Sequence, residues 1–80
     1  MKVTKQHAGY YEVKSMTRHC GVWQKRTWIV LRNPELEGRD KWIAYDVNDP
    51  YVVFDPMPTK ASIIQALANE ENRWAATLLN

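Results

Sequence analysis

Two runs of β character stand at the centre of the chain. Thr27-Trp28-Ile29-Val30-Leu31-Arg32 and Lys41-Trp42-Ile43-Ala44-Tyr45-Asp46 are rich in β-branched and aromatic residues. Between them lie the eight residues Asn33 to Asp40, with an Asn, a Pro, a Gly and an Asp that each favour turns for a different reason. The pattern predicts an antiparallel pair, with strands over Trp23 to Arg32 and Lys41 to Val47.

Upstream, Tyr10 to Met16 alternates in character and reads as a further strand. Thr17 to Gly21 reads as a turn in which Gly21 can take positive φ. Residues 1–9 are polar and basic and are expected to form a flexible arm. Downstream, Asn48-Asp49-Pro50 signals a turn, and Tyr51 to Phe54 is either a fourth strand or an extended segment on the core. Pro56 and Pro58 hold the residues before them out of helix. Thr59 is a good N-cap for a helix over Lys60 to Leu79. Its apolar stripe is Ile64, Leu67, Trp74 and Leu78. Glu71 interrupts the stripe, so a helix broken near Asn69 is the alternative.

Strands followed by a helix predict an α+β fold: a three- or four-stranded antiparallel meander with one C-terminal helix packed on one face. Eighty residues suit a single domain with a thin core. Alternation then sorts side chains by face. Tyr11, Val13, Ile29, Leu31, Ile43, Tyr45 and Val47 are expected beneath the helix. The opposite face would carry Tyr10, Glu12, Lys14, Arg26, Trp28, Val30, Arg32, Trp42, Ala44 and Asp46. An uncovered face mixing tryptophan with arginine would be an interaction surface, or would be buried in a homodimer.

Charge sharpens this expectation. The formal net charge is only +2, yet residues 1–32 hold seven of the eleven Lys and Arg and one of the nine acids. A basic half raises the prospect of an anionic partner. The first twenty residues are interspersed with charge and do not read as a secretory signal. No apolar run exceeds four residues, so no membrane span is expected. One cysteine fits a reducing compartment, and a cytoplasmic protein is expected.

Candidate chemistry is sparse. His19 and Cys20 are neighbours, and adjacent residues on a strand point apart, which argues against a Cys–His nucleophile. His7, His19 and Cys20 lack metal-site spacing. Asp46, Asp49 and Asp55 match no calcium loop, and the three glycines form no phosphate loop. No enzyme activity, cofactor or metal is expected. In element order alone, three strands followed by a helix resemble the small arm-binding domains of phage-type integrases. The order is also similar to double-stranded-RNA-binding domains without their first helix. The resemblance carries no residue over, and implies only a sheet offered to nucleic acid, as in a phage or mobile-element protein.

The expected function is therefore a small nucleic-acid-binding module with contacts from Lys14, Arg18, Trp23, Lys25, Arg26, Trp28, Arg32 and Trp42. Lysine and arginine would meet phosphates and tryptophan would stack on bases. The alternative is a protein-interaction module, an inhibitor or adaptor acting on a host protein through the same surface, because Trp and Arg are favoured anchors.

Overall fold

A computed structural model describes residues 1–79, the side chain of His19 excepted. Five strands form one antiparallel sheet in sequence order: β1 (Lys2–His7), β2 (Tyr10–His19), β3 (Val22–Arg32), β4 (Trp42–Asp46) and β5 (Asp49–Met57). One helix, α1 (Lys60–Thr77), follows. The α+β meander is as expected, with one strand more than foreseen. The addition is β1, formed by the segment expected to be a flexible arm. Ala8 and Gly9 make a tight turn, with Gly9 at φ 74°, and fold Lys2–His7 back on β2 with Val3 opposite Val13. Every residue of β1 is exposed. A strand that contributes almost nothing to the core leaves no apolar pattern to read.

The β2–β3 hairpin is longer than predicted. Pairing runs from Tyr10 opposite Leu31 to His19 opposite Val22. The turn is just Cys20 and Gly21, both at positive φ (52° and 81°). That is the geometry whose twist matches the flanking strands. The loop between β3 and β4 closes on Asn33, whose N–H donates to the Lys41 carbonyl at 2.7 Å. The Lys41 ammonium donates to the carbonyls of Pro34 and Leu36 inside it. Tyr51 to Phe54 lies within a true strand, β5, paired with β4. Tyr45 pairs with Val53 but Asp46 with Asp49, so residues 50–52 bulge.

Register decides the faces, and it overturns part of the expected sorting. Val13 stands opposite Trp28, Tyr11 opposite Val30, Val30 opposite Ala44 and Arg32 opposite Trp42. Tyr11 and Val13 do lie beneath the helix. They take Trp28, Val30, Trp42 and Ala44 with them, while Ile29, Leu31, Ile43 and Tyr45 face away. Both rows of β3 are apolar, so alternation within that strand could not choose between them. The core gathers Val13, Trp28, Val30, Ala44, Val52, Ile63 and Leu67. Phe54 tilts against Trp28, with ring centroids 5.0 Å apart. On the far face Ile29 is still only 5% exposed. Tyr45 stands opposite it.

The helix is continuous through Asn69–Asn72. Thr59 caps it as expected, its Oγ1 accepting from the Ser62 N–H at 3.0 Å. The buried stripe is Ile63 and Leu67, followed by half-buried Glu70, Glu71 and Trp74, whereas Leu78 is exposed. Glu71 belongs to the stripe because α1 there passes the end of β1. Its Oε1 accepts from the Met16 N–H of β2 at 3.2 Å, a donor beyond the β1–β2 pairs. None of the helices among the described residues is long and apolar enough to cross a membrane.

This packing makes unequal demands on the aromatic side chains. Trp28→Ala should cost about 3–5 kcal/mol, a large share of the roughly 4–12 kcal/mol available to a domain of this size. Tyr51→Ala, at a position 94% exposed, should change stability by no more than about 0.5 kcal/mol. Urea unfolding followed by circular dichroism separates the two.

Candidate anion-binding groove

The basic residues of the first three strands are ordered by the hairpins. The Ala8-Gly9 turn sets Lys2 directly opposite Lys14, and the β2–β3 ladder sets Met16 opposite Lys25. Directly opposed side chains lie about 5 Å apart and diagonal ones about 7–8 Å apart. Lys2, Lys14 and Lys25 thus form a row across β1, β2 and β3. Trp74, at the start of the last turn of α1, completes a groove of about 320 Å³ with these lysines, Met1, Met16 and Glu71.

Two acids border the lysines. Glu12 lies 3.9 Å from the Lys14 ammonium, a loose contact. Glu71 is engaged within the fold: beyond the Met16 N–H it pairs with the Met1 amino group. Burial pushes the Glu71 carboxyl up. The amino group, the Met16 N–H and the nearby Lys25 charge together outweigh burial and hold it below its ordinary value. Glu71 is an ionised structural group, and the groove keeps its cationic balance.

The eight residues singled out from sequence part company here. Lys14 and Lys25 meet in the groove. Arg18, exposed near the hairpin tip, pairs with half-buried Trp23 and borders a second, smaller cavity of about 170 Å³ with Thr17, Trp28 and Glu70. Arg32 is exposed opposite Trp42. Arg32 shares the covered face but stays at its margin, whereas the other three are drawn into the packing there. Trp28 is 2% exposed. Trp42 packs on the core with its ring tilted 44° to that of Tyr11. Arg26 is bonded to buried Asp46, so it answers a carboxylate within the fold. A stacking platform of Trp28 and Trp42 is therefore not available on this sheet. Its physical failing is the register of β2 on β3, which turns Trp28 toward α1, and of β4 on β3, which turns Trp42 the same way.

Lys2 and Trp74 went unrecognised as site residues. The two-residue spacing between His7 and Tyr10 is a hairpin signal that would have brought Lys2 to Lys14. Trp74 was readable only as core, since nothing local tells a helical residue that its helix has passed the sheet edge.

A separate apolar surface lies at β4 and β5. Ile43, Tyr45, Pro50, Val53, Phe54 and Pro56 line a shallow groove of about 420 Å³. Val53 in its wall is 59% exposed. Burial first, and the neighbouring Tyr10 hydroxyl second, raise the Tyr45 hydroxyl above its ordinary value.

Of the chemistry weighed from sequence, Cys20 is an exposed turn residue, and the side chain of His19 lies outside the described residues. No three of His, Cys, Asp or Glu gather into a metal-binding cluster among the described residues. No protein-family model, curated protein or solved structure matches the chain.

Glu71 yields a pH dependence with a definite sign. A carboxyl whose folded-state pKa is lowered adds stability above its ordinary range, near pH 4.3, and loses it as pH falls through the lowered value. Wild-type protein should lose stability between about pH 5 and the foot of that range. Glu71→Gln should be less stable at neutral pH and show a shallower acid loss. Urea midpoints at a series of pH values measure both.

Proposed function

We propose that the chain is a small, non-enzymatic nucleic-acid-binding module that grips phosphates with the lysine row. The observation that carries this reading is the alignment of Lys2, Lys14 and Lys25 along one groove. Phosphate contacts by a short row of ammonium groups position a nucleic-acid backbone without reading sequence. The unequal charge of the chain supports the reading, because the basic half forms adjacent strands and the groove's own acid is already engaged by the Met16 N–H and the Met1 amino group. Arg18, exposed two residues beyond Met16 on β2, adds a further cation toward the hairpin tip.

One observation favours a second reading. The apolar groove at β4–β5, with exposed Val53 in its wall and the exposed Tyr51 of the same strand, would suit a protein partner. On that reading the chain is an adaptor or inhibitor, and a second copy could occupy the same face.

The two readings differ in their response to salt. Three neutralised phosphates give a slope of log K against log salt of roughly −2.7 on duplex DNA, or about −2.1 on a single strand. Lys14→Gln combined with Lys25→Gln should leave folding intact. It should flatten the slope by roughly two-thirds and weaken binding at least about tenfold at low salt. Fluorescence anisotropy of a labelled oligonucleotide across a salt series reads this directly. Unchanged affinity in the double variant would move the weight to the apolar surface.

A further inference from the structure

The lysine row explains a grip on phosphate but leaves Trp74 without a role in it. A cation-lined site for phosphate alone has no use for an indole and two methionines. The groove's volume of about 320 Å³ is roughly ten times the ~30 Å³ share of a single water. It has room for a ring system as well as an ion.

We propose that the groove takes single-stranded nucleic acid, with one base laid against the Trp74 indole between Met1 and Met16 and the flanking phosphates on Lys2, Lys14 and Lys25. This rests on the phosphate-binding reading and adds the form of the nucleic acid to it. Three features support it. Aromatic faces flanked by cations are the means by which single strands are held, since every unpaired base offers a π-face. A duplex keeps its bases paired and stacked on each other, so an indole beside the phosphate row would find no free face. The apolar walls are side chains of Met, which adapt to rings of different size and favour contact between sulfur and an aromatic edge. Glu71 sits at the same place and does not oppose the strand, because its carboxylate answers the Met16 N–H and the Met1 amino group. Trp28 and Trp42 are packed on the core, so of these three indoles only Trp74 is offered to the groove.

The test uses the whole chain and three labelled probes of equal length. These are an oligothymidylate of roughly twelve nucleotides, within the ~4–16 that small modules cover, its abasic counterpart, and a duplex. Anisotropy gives affinity and tryptophan emission reports stacking. The thymidine strand should bind roughly fivefold to a hundredfold tighter than the abasic strand, and more tightly than the duplex. It should quench wild-type emission. Trp74→Leu should abolish the quench and bring the thymidine strand down to the abasic affinity, while Trp74→Phe should keep part of the difference. Should Trp74→Leu fold poorly, the comparison of thymidine and abasic strands on the unaltered protein decides alone. Equal binding of the two strands without quenching, or tighter binding of the duplex, overturns the single-strand inference and leaves the lysine groove standing. No binding of any probe at low salt removes the groove reading itself, and this inference with it.

Discussion

The ladder between β2 and β3 is the constraint from which the other features follow. Ten successive pairs, from Tyr10–Leu31 to His19–Val22, are locked by a two-residue turn. A slip of one residue would exchange the two faces of β3. Trp28 and Val30 would leave the helix, and Arg26 would lose Asp46. The same ladder brings Lys25 to Met16 and so sets the position of the lysine row. Core and groove are opposite sides of one registration, and neither can be altered without the other.

The position of α1 follows from that registration. Ile63 and Leu67 seat the first half of the helix on the Val13–Trp28–Ala44 surface. The second half runs on past the end of β1, where the sheet is only two strands wide. There the helix meets strand backbone as well as side chains, and Glu71 accepts a donor that a longer β1 would have taken. A carboxylate in the line of an apolar stripe is therefore an adaptation to a sheet edge.

Much of the fold was legible because local chemistry and tertiary environment agreed. The runs Trp28–Leu31 and Trp42–Tyr45, the Asn33–Asp40 loop and the Thr59 cap each carried their own signal. The faces were not legible. Trp28-Ile29-Val30-Leu31 is apolar on both sides, and only the pairing of Val13 with Trp28 settles which side is covered. Strand β1 was hidden because Lys2-Val3-Thr4-Lys5 is an exposed edge strand with one apolar residue. For the candidate site, Lys14 and Lys25 could be named from charge, whereas Trp28 and Arg26 were misjudged for want of the register. Trp74 could not be found from a helical stripe that gives no sign of where the sheet ends.

The irregular course of β5 bears on how the chain behaves among its own copies. Tyr51-Val52-Val53-Phe54 on an outer strand is the composition that seeds fibrils when its backbone is free. Here Pro50 and Pro56 bring no N–H to that strand, and the Tyr51 N–H is taken by the Asp49 carboxylate at 3.2 Å. An approaching strand would find the donors it needs missing at both ends of the segment. The bulge over residues 50–52 bends the edge away from the flat template that stacking requires. The molecule can thus display tyrosine and valine to solvent at its margin while denying them a hydrogen-bonded path to polymerisation.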